Sequence, residues 1–443
     1  MKKVSIIGFG RFGKTLYRLL KEDFEITLYD KDQIKNFAEL DKNTTITKSL
    51  NKVYQSEIIF YCIPISSFEA VIYQHKKYFK DSHRLIDALS VKMHPAKVFK
   101  KYLQNTNVQA LLTHPMFGPD SSKEGFENLP LIMDKFMIDD ENFRFWKEYF
   151  KSKKLQVIEM SAKEHDRMAA SSQGLTHFIG RLLDAYHFKK TPIDSLGTKK
   201  LLAIVEQTCN DTWQLFTDLQ HYNPYTKNMR IKLGDIYDQV YNKLLPKQVN
   251  PKFLTFGIQG GAGSFNEEAI QYFLKRSGIT KYAVKYLYTT ENVLKALHEG
   301  DIDRGQFAIH NSVGGIVGES IEAMANYKFK IIEEFAIKIS HALMIRGDAK
   351  FSEVTTIMTH PQVLAQCRQT LPQKYPHLKQ TSGKGKLIDH SVVARLMSEK
   401  KIPKHIATMG SKVLAEIYNL QIIEDNLQDA KENYTSFLMV ARS

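Results

Sequence analysis

Residues 4–13 read VSIIGFGRFG, and this stretch decides the fold of the first part of the chain. A short apolar segment typical of a buried strand runs into Gly8, Gly10 and Gly13, and a helical pattern, RFGKTLYRLLKE, begins there. In the spacing G-x-G-x-x-G the first glycine permits a tight turn and the second lets the backbone approach a pyrophosphate. The third lets the helix pack against the strand. The stretch therefore predicts a strand–turn–helix unit that binds a dinucleotide.

A second strand, EITLYD, follows that helix and ends at Asp30. A carboxylate in this place accepts hydrogen bonds from the ribose hydroxyls of NAD and repels the 2′-phosphate of NADP. The context favours NAD as the cofactor. The alternative is a structural glycine turn with an incidental acidic residue beside it.

Short apolar strands continue to alternate with helical segments as far as the strand KLQVIEMS, which predicts a Rossmann-type, parallel, doubly wound α/β sheet. From about residue 161 apolar residues recur at helical spacing, so an all-α second domain follows. After the polar linker LLPKQVNPKF the strand–helix alternation resumes. We predict domains at 1–160, 161–246 and 252–443, with the helical block forming the contact of a homodimer.

Composition limits the classes of partner. The chain has 443 residues, is 43% hydrophobic and 25% charged, and carries a formal net charge of +14. No apolar run approaches the roughly 18 residues that span a bilayer. A net positive charge favours binding of nucleic acid or of small anionic metabolites. However, the lysines are scattered along the sequence and no nucleic-acid-binding motif is present. We expect a small-molecule substrate, no nucleic acid and no membrane.

The three cysteines, Cys62, Cys209 and Cys367, are few, odd in number and widely spaced. Such a set does not form a disulfide framework and fits a reducing compartment. No cysteine has metal-ligand spacing. The sequence therefore predicts a cytoplasmic protein without a metal site.

Three segments carry chemistry: residues 87–92 (DALSVK), 114–120 (HPMFGPD) and 164–167 (EHDR). The first two follow predicted strands, at the edge where doubly wound folds bind ligands. In this order the three motifs resemble the prephenate/arogenate dehydrogenase family, over about residues 1–245. The stretch HDRMAASSQGLTHFIGR is most similar to the plant-like arogenate branch.

The resemblance implies NAD-dependent oxidation of a cyclohexadienol, arogenate or prephenate, with loss of carbon dioxide. By the resemblance His114 is the base that takes the hydroxyl proton, and a neutral imidazole suits that role. Ser90 would bind the same hydroxyl or the nicotinamide, and His177 would lie near substrate and cofactor. For His165 and Asp166 both a site role and simple helix capping stay open.

Two departures from the family bear on the substrate. Prephenate-specific members carry a carboxylate-binding arginine in the later helical block, where this chain has Lys199 and Lys200. Asp120 is acidic and would favour the ammonium group of arogenate over a keto group. Both favour arogenate without deciding it. A generic β-hydroxyacid dehydrogenase is the enzyme alternative, although it would not need the HPMFGP motif.

Residues 253–443 resemble prephenate dehydratase, which implies a two-lobed α/β fold similar to periplasmic binding proteins. The matching segments are 260–265 (GGAGSF), 311–315 (NSVGG), 359–362 (THPQ) and 433–437 (NYTSF). By the resemblance Thr435 donates a proton to the departing hydroxyl of prephenate or arogenate. The substrate-binding residues implied by the same motifs are Ser264, Asn311, Ser312, His360 and Gln362.

This second resemblance is broken at two positions. His310 replaces the glutamate of the family's E-N-S motif, and Ser436 replaces the arginine of its T-R-F motif. Three interpretations stay open: a dehydratase in which His310 substitutes, a degenerate ligand-binding domain that regulates or supports the dehydrogenase, or altered chemistry such as a non-aromatising decarboxylation. A binding protein built on two enzyme folds is the non-enzyme alternative.

Overall fold

The computed structural model describes residues 1–34, 40–384, 387 and 390–443. Its contacts divide the chain into an N-terminal unit, Met1–Ile236, and a C-terminal unit, Tyr237–Ser443. Within these residues no helix has the length and apolar character needed to cross a bilayer. Each unit is described by itself, and the predicted domain boundaries stay predictions.

The N-terminal unit opens with alternating strands and helices. Its strands are β1 Lys2–Ile7, β2 Phe24–Tyr29, β3 Thr44–Ile46, β4 Ile58–Tyr61, β5 Arg84–Asp87, β6 Gln109–Pro115, β7 Pro130–Met137 and β8 Gln156–Glu159. The helices are α1 Arg11–Leu20, α2 Leu50–Val53, α3 Ile65–His75, α4 Met93–Leu103, α5 Asp140–Ser152, α6 Ala162–Ala169, α7 Leu175–Ala185, α8 Leu196–Cys209, α9 Trp213–Tyr222 and α10 Thr226–Leu244.

The strands form one sheet in the order β3-β2-β1-β4-β5-β6-β7-β8. Neighbouring strands are parallel except β6 and β7, which pair antiparallel. The predicted parallel, doubly wound sheet therefore contains one antiparallel pair among the described strands. No helix lies between β6 and β7, so the chain returns through a loop instead of a crossover. That loop carries most of the HPMFGPD segment.

Both faces of this sheet are buried, as a doubly wound sheet requires. One core gathers Leu16 and Leu20 of α1 with Trp146 of α5. The other gathers Phe68 of α3 and Phe99 of α4. The helical covering leaves the carboxyl ends of β1, β4, β5 and β6 as the edge on which the site is built.

A π-helical turn, Ala170–Gly174, joins α6 to α7 without a break in the helical path. Such turns shift the face that the following helix presents, and they are frequent at functional sites. Helices α7 and α8 then pack closely, because a Cβ at Gly180 would lie 2.0 Å from Oγ1 of Thr208.

The C-terminal unit has two sheets. Its strands are β9 Leu254–Ile258, β10 Tyr282–Tyr286, β11 Arg304–Asn311, β12 Gly315–Ile316, β13 Lys330–Lys338, β14 Ala342–Arg346, β15 Thr356–Met358, β16 Lys379–Thr381, β17 Ile406–Gly410, β18 Leu420–Glu424 and β19 Tyr434–Ala441. The helices are α11 Phe265–Ser277, α12 Thr290–Glu299, α13 Gly318–Met324, α14 Pro361–Gln366, α15 Thr370–Lys374, α16 His390–Ser398 and α17 Val413–Tyr418.

The first sheet has the order β10-β9-β11-β19-β13, and the second has β16-β15-β17-β14-β18. The last strand, β19, thus returns to the first sheet, antiparallel to β11 and β13. The continuous apolar segment KIIEEFAIKISHALMI forms β13 and β14 of different sheets. Its central residues, 339–341, make the passage between them.

The two faces of the first sheet pack on different helices. Phe437 and Met439 belong to the core that includes Ile270 of α11. Leu438 and Val440 belong to the core that includes Leu294 of α12. Alternate residues of β19 therefore face α11 or α12, and this alternation positions the residues at the start of the strand.

Candidate functional site

The glycine turn has the geometry that its spacing predicts. Gly8 has a φ of +94°, and a Cβ there would lie 2.2 Å from the carbonyl oxygen of Cys62. A Cβ at Gly13 would lie 2.1 Å from the carbonyl oxygen of Gly8, whereas one at Gly10 would meet nothing within 4 Å. Gly8 and Gly13 are thus required by packing. Gly10 faces open space at the N-terminus of α1, where a phosphate group fits.

Asp30 follows β2 and lies against this turn. Its Oδ2 accepts a hydrogen bond of 2.6 Å from the backbone N–H of Phe9, and its Oδ1 accepts one of 2.9 Å from Asp32. Each carboxylate oxygen has a further lone pair that can accept a ribose hydroxyl. The residues present therefore suit the adenosine half of a dinucleotide.

A chain of hydrogen bonds leads from a buried carboxylate to His114. Nδ1 of His165 donates to Oδ1 of Asp166 over 2.8 Å, and Nε2 of His165 lies 2.7 Å from Nδ1 of His114. Asp166 also accepts the backbone N–H groups of Lys92 and Met93, at 2.7 and 2.9 Å. The three side chains that these hydrogen bonds connect, those of Asp166, His165 and His114, are all buried.

These bonds fix the tautomers of both imidazoles. A carboxylate only accepts, so Nδ1 of His165 carries a hydrogen and Nε2 of the same neutral ring is an acceptor. His114 must then donate from Nδ1, which leaves a lone pair on its Nε2. No described residue bonds that nitrogen. The arrangement presents an unprotonated imidazole nitrogen, as a general base requires.

The electrostatic surroundings keep His114 neutral. Burial, and then the neighbouring His165, Lys92 and His177, hold the pKa of His114 well below its usual range. Burial also lowers the pKa of His165, although the hydrogen bond to Asp166 opposes this shift. The base is therefore ready to accept a proton at neutral pH.

Lys92 and Asp87 form a fully buried ion pair beneath His114. Lys92 Nζ also donates to the carbonyl oxygen of Thr113, the residue before His114. Oγ1 of Thr113 donates to the carbonyl oxygen of Asp87. The pair thus ties the end of β5 to the end of β6. Breaking one half would leave a buried charge, which costs about 3–5 kcal/mol.

Three other predicted residues of this unit lie in different settings. Ser90 is half-buried in the loop after β5, and its hydroxyl bonds no described residue. Asp120 forms ion pairs with Arg11 at 2.8 Å and with Lys123 at 3.2 Å, so its charge is already compensated. Lys199 is exposed on α8 and forms no hydrogen bond or ion pair with a described residue. The structure gives no contact of Lys199 with the His114 group.

Helix α7 and the π-helical turn before it contribute three polar groups, of which the motif analysis had predicted His177 but neither Gln173 nor Arg181. Oε1 of Gln173 and Nδ1 of His177 are buried without a hydrogen-bond partner among the described residues, and so is Nε of Arg181. The three residues follow one another at a spacing of four, so they lie along one face of the helix. That spacing, visible in the sequence QGLTHFIGR, was the available signal.

In the C-terminal unit the structure brings Asn311 and Thr435 together. They are direct partners in the antiparallel ladder of β11 and β19, and Nδ2 of Asn311 donates to Oγ1 of Thr435 over 2.9 Å. Because the threonine oxygen accepts this bond, its own hydrogen stays available for donation.

A network of amides continues from this pair. Nδ2 of Asn311 also donates to Oδ1 of Asn433 over 2.8 Å, and Nδ2 of Asn433 donates to Oε1 of Gln366 over 3.3 Å. The same Oε1 lies 2.6 Å from Nε2 of His341, a buried histidine whose pKa burial lowers. The network connects Thr435 to the second sheet and fixes its position.

The two departures from the dehydratase motifs occupy one cross-strand pair. His310 lies directly opposite Ser436. Ser436 alternates with Leu438 and therefore faces α12, whereas Thr435 alternates with Phe437 and faces α11. The substitutions thus lie on the opposite face of the sheet from the Asn311–Thr435 pair.

The other predicted residues of this unit serve local structure. Ser264 is the N-cap of α11, and His360 caps α14 through Nδ1, which accepts the N–H of Gln362. Ser312 donates to the carbonyl oxygen of Glu432 and accepts the N–H of Tyr434. The side chain of Gln362 is exposed. The stretch TSGKGKLID at 381–389 lies partly outside the described residues.

Within the described part of the chain, no group of three His, Cys, Asp or Glu side chains is placed to hold a metal ion.

Comparison with known families divides the chain at the same place as the motifs. Residues 16–159 match the nucleotide-binding domain of prephenate dehydrogenase, and residues 256–443 match prephenate dehydratase. Residues 182–252 match a TYRAAT1-like C-terminal domain. These matches confirm both resemblances and the fold classes predicted from the sequence.

Individual relatives match one part of the chain or the other. Arogenate dehydrogenase 2, chloroplastic, of Arabidopsis thaliana is 31% identical over 254 residues, which are 55% of this chain and 70% of the relative. The bifunctional chorismate mutase/prephenate dehydratase of Escherichia coli K12 is 25% identical over 202 residues. That match covers 44% of this chain, and the chain spans about half, 49%, of that relative. The structure of A. aeolicus prephenate dehydrogenase with hydroxyphenyl propionate and NAD+ superposes with a TM-score of 0.44 and 17% identity, over 62% of this chain and 96% of that one.

Proposed function

The chain belongs to the arogenate dehydrogenase family and carries a prephenate dehydratase domain behind the dehydrogenase, and we propose that its N-terminal unit oxidises arogenate with NAD. The observation that carries this proposal is the bond chain Asp166–His165–His114, which leaves Nε2 of His114 as a neutral acceptor. That nitrogen takes the proton of the ring hydroxyl at C4. The half-buried hydroxyl of Ser90 orients the same alcohol.

When bound, NAD would supply the acceptor for the hydride that leaves C4 as the alcohol becomes a ketone. The C–CO₂ bond then breaks, and its electrons make the ring aromatic. Gly8, Gly10, Gly13 and Asp30 would hold the cofactor. After the oxidation His114 carries the abstracted proton, and Asp166, acting through His165, stabilises the imidazolium.

Formation of NADH, followed by ultraviolet absorbance, tests this function. The wild-type chain is assayed with arogenate and with prephenate, and with NAD and NADP. We expect the highest kcat/KM with arogenate and NAD. Asp30→Ser should reduce the preference for NAD, because the carboxylate no longer repels a 2′-phosphate. Absence of NADH formation with both ring acids would remove the proposal.

The preference for arogenate has two supports. The chain is similar to arogenate dehydrogenases, and the buried Oε1 of Gln173 is an acceptor without a described partner. Such an oxygen can bind an ammonium group but gains nothing from the keto oxygen of prephenate. Asp120 adds less than its charge suggests, because Arg11 and Lys123 already compensate it.

For the C-terminal unit we propose dehydration of the same class of substrate. The hydroxyl of Thr435 donates a proton to the departing C4 hydroxyl, which leaves as water. The electrons of the breaking C–CO₂ bond restore the aromatic ring. The bond from Asn311 positions Thr435 for this donation. The substitutions at 310 and 436 lie on the other face of the sheet, so they leave this pair intact.

The test for this second function is formation of phenylpyruvate from prephenate, or phenylalanine from arogenate, by the full chain. Product formation that Thr435→Val abolishes supports it. No product, together with stabilisation of the protein by phenylalanine in thermal unfolding, would instead favour a regulatory domain.

We also propose that the protein is a homodimer in the cytoplasm. Large apolar side chains of the helical block are exposed in the single chain, among them Tyr186, Ile193, Leu196 and Ile231. An exposed apolar surface of this kind is typical of subunit contacts. The three free cysteines suit a reducing compartment. Light scattering after gel filtration tests the dimer, and cell fractionation tests the location.

A further inference from the structure

We propose that Arg181 binds the carboxylate end of the ring acid that is oxidised beside His114. The inference rests on the dehydrogenase function proposed above and adds a binding residue that the motifs did not supply. Lys199, which the sequence placed in this role, is exposed on α8 and contacts no described site residue through a hydrogen bond or ion pair.

Arg181 is a partly buried cation that lacks a counter-ion among the described residues. Its recorded hydrogen bond, of 2.6 Å, runs from NH2 to the backbone carbonyl oxygen of Asp211, and no carboxylate forms an ion pair with it. Its Nε is buried without a partner. A guanidinium in this state presents unused donors and an uncompensated positive charge, which an incoming carboxylate satisfies.

Two aromatic rings and a backbone bond fix the orientation of the guanidinium. Its Cζ lies 5.2 Å from the ring centre of Trp213 and 5.8 Å from that of Phe216, both on α9. The bond to the carbonyl oxygen of Asp211 holds the group from the connection before that helix. A guanidinium whose orientation is already fixed loses little conformational freedom when it binds a planar carboxylate. This is the advantage of arginine at such sites.

The location of Arg181 connects it to the base. It lies one helical turn after His177 on α7, and the two residues share a face of that helix. Burial lowers the pKa of His177, Asp211 opposes this shift and the charge of Arg181 adds to it, and His177 in turn helps to lower the pKa of His114. His114, His177 and Arg181 therefore form a series from the hydroxyl end of the site towards a positive end.

Unlike Arg181, the neighbouring cations form ion pairs with carboxylates. Arg11 bonds both Asp120 and Asp211, at 2.8 and 3.2 Å, and Lys123 bonds Asp120. Three cations and two carboxylates thus surround this part of the site, and Arg181 is the cation left unpaired among them. Arogenate and prephenate carry one carboxylate on the ring carbon opposite the C4 hydroxyl and the other at the end of the side chain on that same carbon. In the proposed arrangement the C4 hydroxyl lies at His114 and a carboxylate binds Arg181.

Steady-state kinetics with arogenate test the proposal. Arg181→Met should raise KM by about 10- to 100-fold, the effect of losing a hydrogen-bonded charge, while kcat changes little. Arg181→Lys keeps the charge but loses the fork, so its KM should lie between those of wild type and Arg181→Met. Lys232→Met removes an exposed positive charge from α10 of the same unit and should leave KM unchanged.

A binding measurement separates recognition of the carboxylate from a structural role. Calorimetric affinities in the presence of NAD are compared for 4-hydroxyphenylpropionate and for 4-(3-hydroxypropyl)phenol, which has the same ring without the charge. Arg181→Met should lower the affinity for the acid about tenfold or more and leave that for the alcohol unchanged. An equal loss for both probes would overturn the proposal, as would an unchanged KM in both variants.

The failure of this inference differs from that of the proposed function. If wild type forms no NADH from either ring acid, the dehydrogenase function is wrong. If wild type is active and the arginine variants keep its KM, the function stands and Arg181 is not the carboxylate ligand.

Discussion

His310 and Ser436 are direct partners across the antiparallel ladder of β11 and β19, on the face of the sheet that packs towards α12. In the sequence, these two residues stand as separate replacements of a glutamate and an arginine in the dehydratase motifs. The structure places them opposite each other in one cross-strand pair, on the side of the sheet away from Thr435.

The first prediction concerns this separation. Thr435→Val should reduce formation of phenylpyruvate from prephenate by about 100-fold or more, because it removes the proton donor and keeps the shape. His310→Ala should leave the rate near that of wild type. A large loss in the histidine variant, with an unchanged melting temperature, would mean that His310 acts in the reaction.

The second prediction concerns the base. His114→Gln should reduce kcat of the dehydrogenase by about 10²- to 10⁴-fold, the usual contribution of general base catalysis. The KM for NAD should not change, because the glycine turn is untouched. His165→Asn should cause a smaller loss, because Nε2 of His114 remains but its tautomer is no longer fixed. Equal activity of wild type and His114→Gln would contradict the assignment.

The third prediction concerns the pH dependence of the reaction. His114 acts as a base only when its ring is neutral, and burial followed by neighbouring charges holds its pKa well below 6.5. The value of kcat/KM should therefore be constant around neutral pH and fall only in acid. In His165→Asn one neighbour that lowers this pKa is absent, so the fall should begin at higher pH. A wild-type transition at or above pH 6.5 would be inconsistent with this environment.

The fourth prediction concerns stability. The pKa values of His114, His165 and His177 are all lowered in the folded protein, chiefly by burial. Below pH 6.5 the unfolded chain takes up protons that the folded one does not, so stability is present above that pH and is lost as the pH falls further. Calorimetry from pH 7.5 to 5.5 should show a falling melting temperature for wild type. The double variant His114→Gln/His165→Gln should show a shallower fall.

The fifth prediction separates the glycines. Gly10→Ala should leave the melting temperature unchanged, because its Cβ meets nothing within 4 Å, but it should weaken binding of NAD. Gly13→Ala should destabilise the fold by about 1–3 kcal/mol, because its Cβ would approach the carbonyl oxygen of Gly8 to 2.1 Å. Equal losses of stability in both variants would show that Gly10 is also required by packing.

Much of this arrangement follows from local sequence, and the rest depends on contacts between distant segments. The glycine turn could be predicted because spacing, strand and helix all lie within residues 2–20. The antiparallel direction of β7 could not, because it depends on where a loop returns and not on the apolar pattern of the strand. The passage from β13 to β14 could not be predicted for the same reason, since one continuous apolar segment contributes strands to two sheets.

The site residues divide in the same way. His114 stands out because its motif is compact, whereas the role of Asp166 depends on backbone N–H groups of residues 92 and 93, far away in the sequence. Lys199 was predicted to bind substrate from its place in the order of motifs. Which face a helix turns inward depends on packing: Lys199 on α8 is exposed, whereas Arg181 on α7 is partly buried.

The bond between His114 and His165 joins a strand of the nucleotide-binding sheet to a helix that the ribosome makes about 50 residues later. A nascent chain that ends before Asp166 already contains the glycine turn and His114. It lacks the carboxylate that, through His165, fixes which nitrogen of His114 carries the hydrogen. Coenzyme capture can therefore precede competence for oxidation during synthesis. The hydrogen bonds that orient His114 are complete only when α6, with His165 and Asp166, has packed against the sheet.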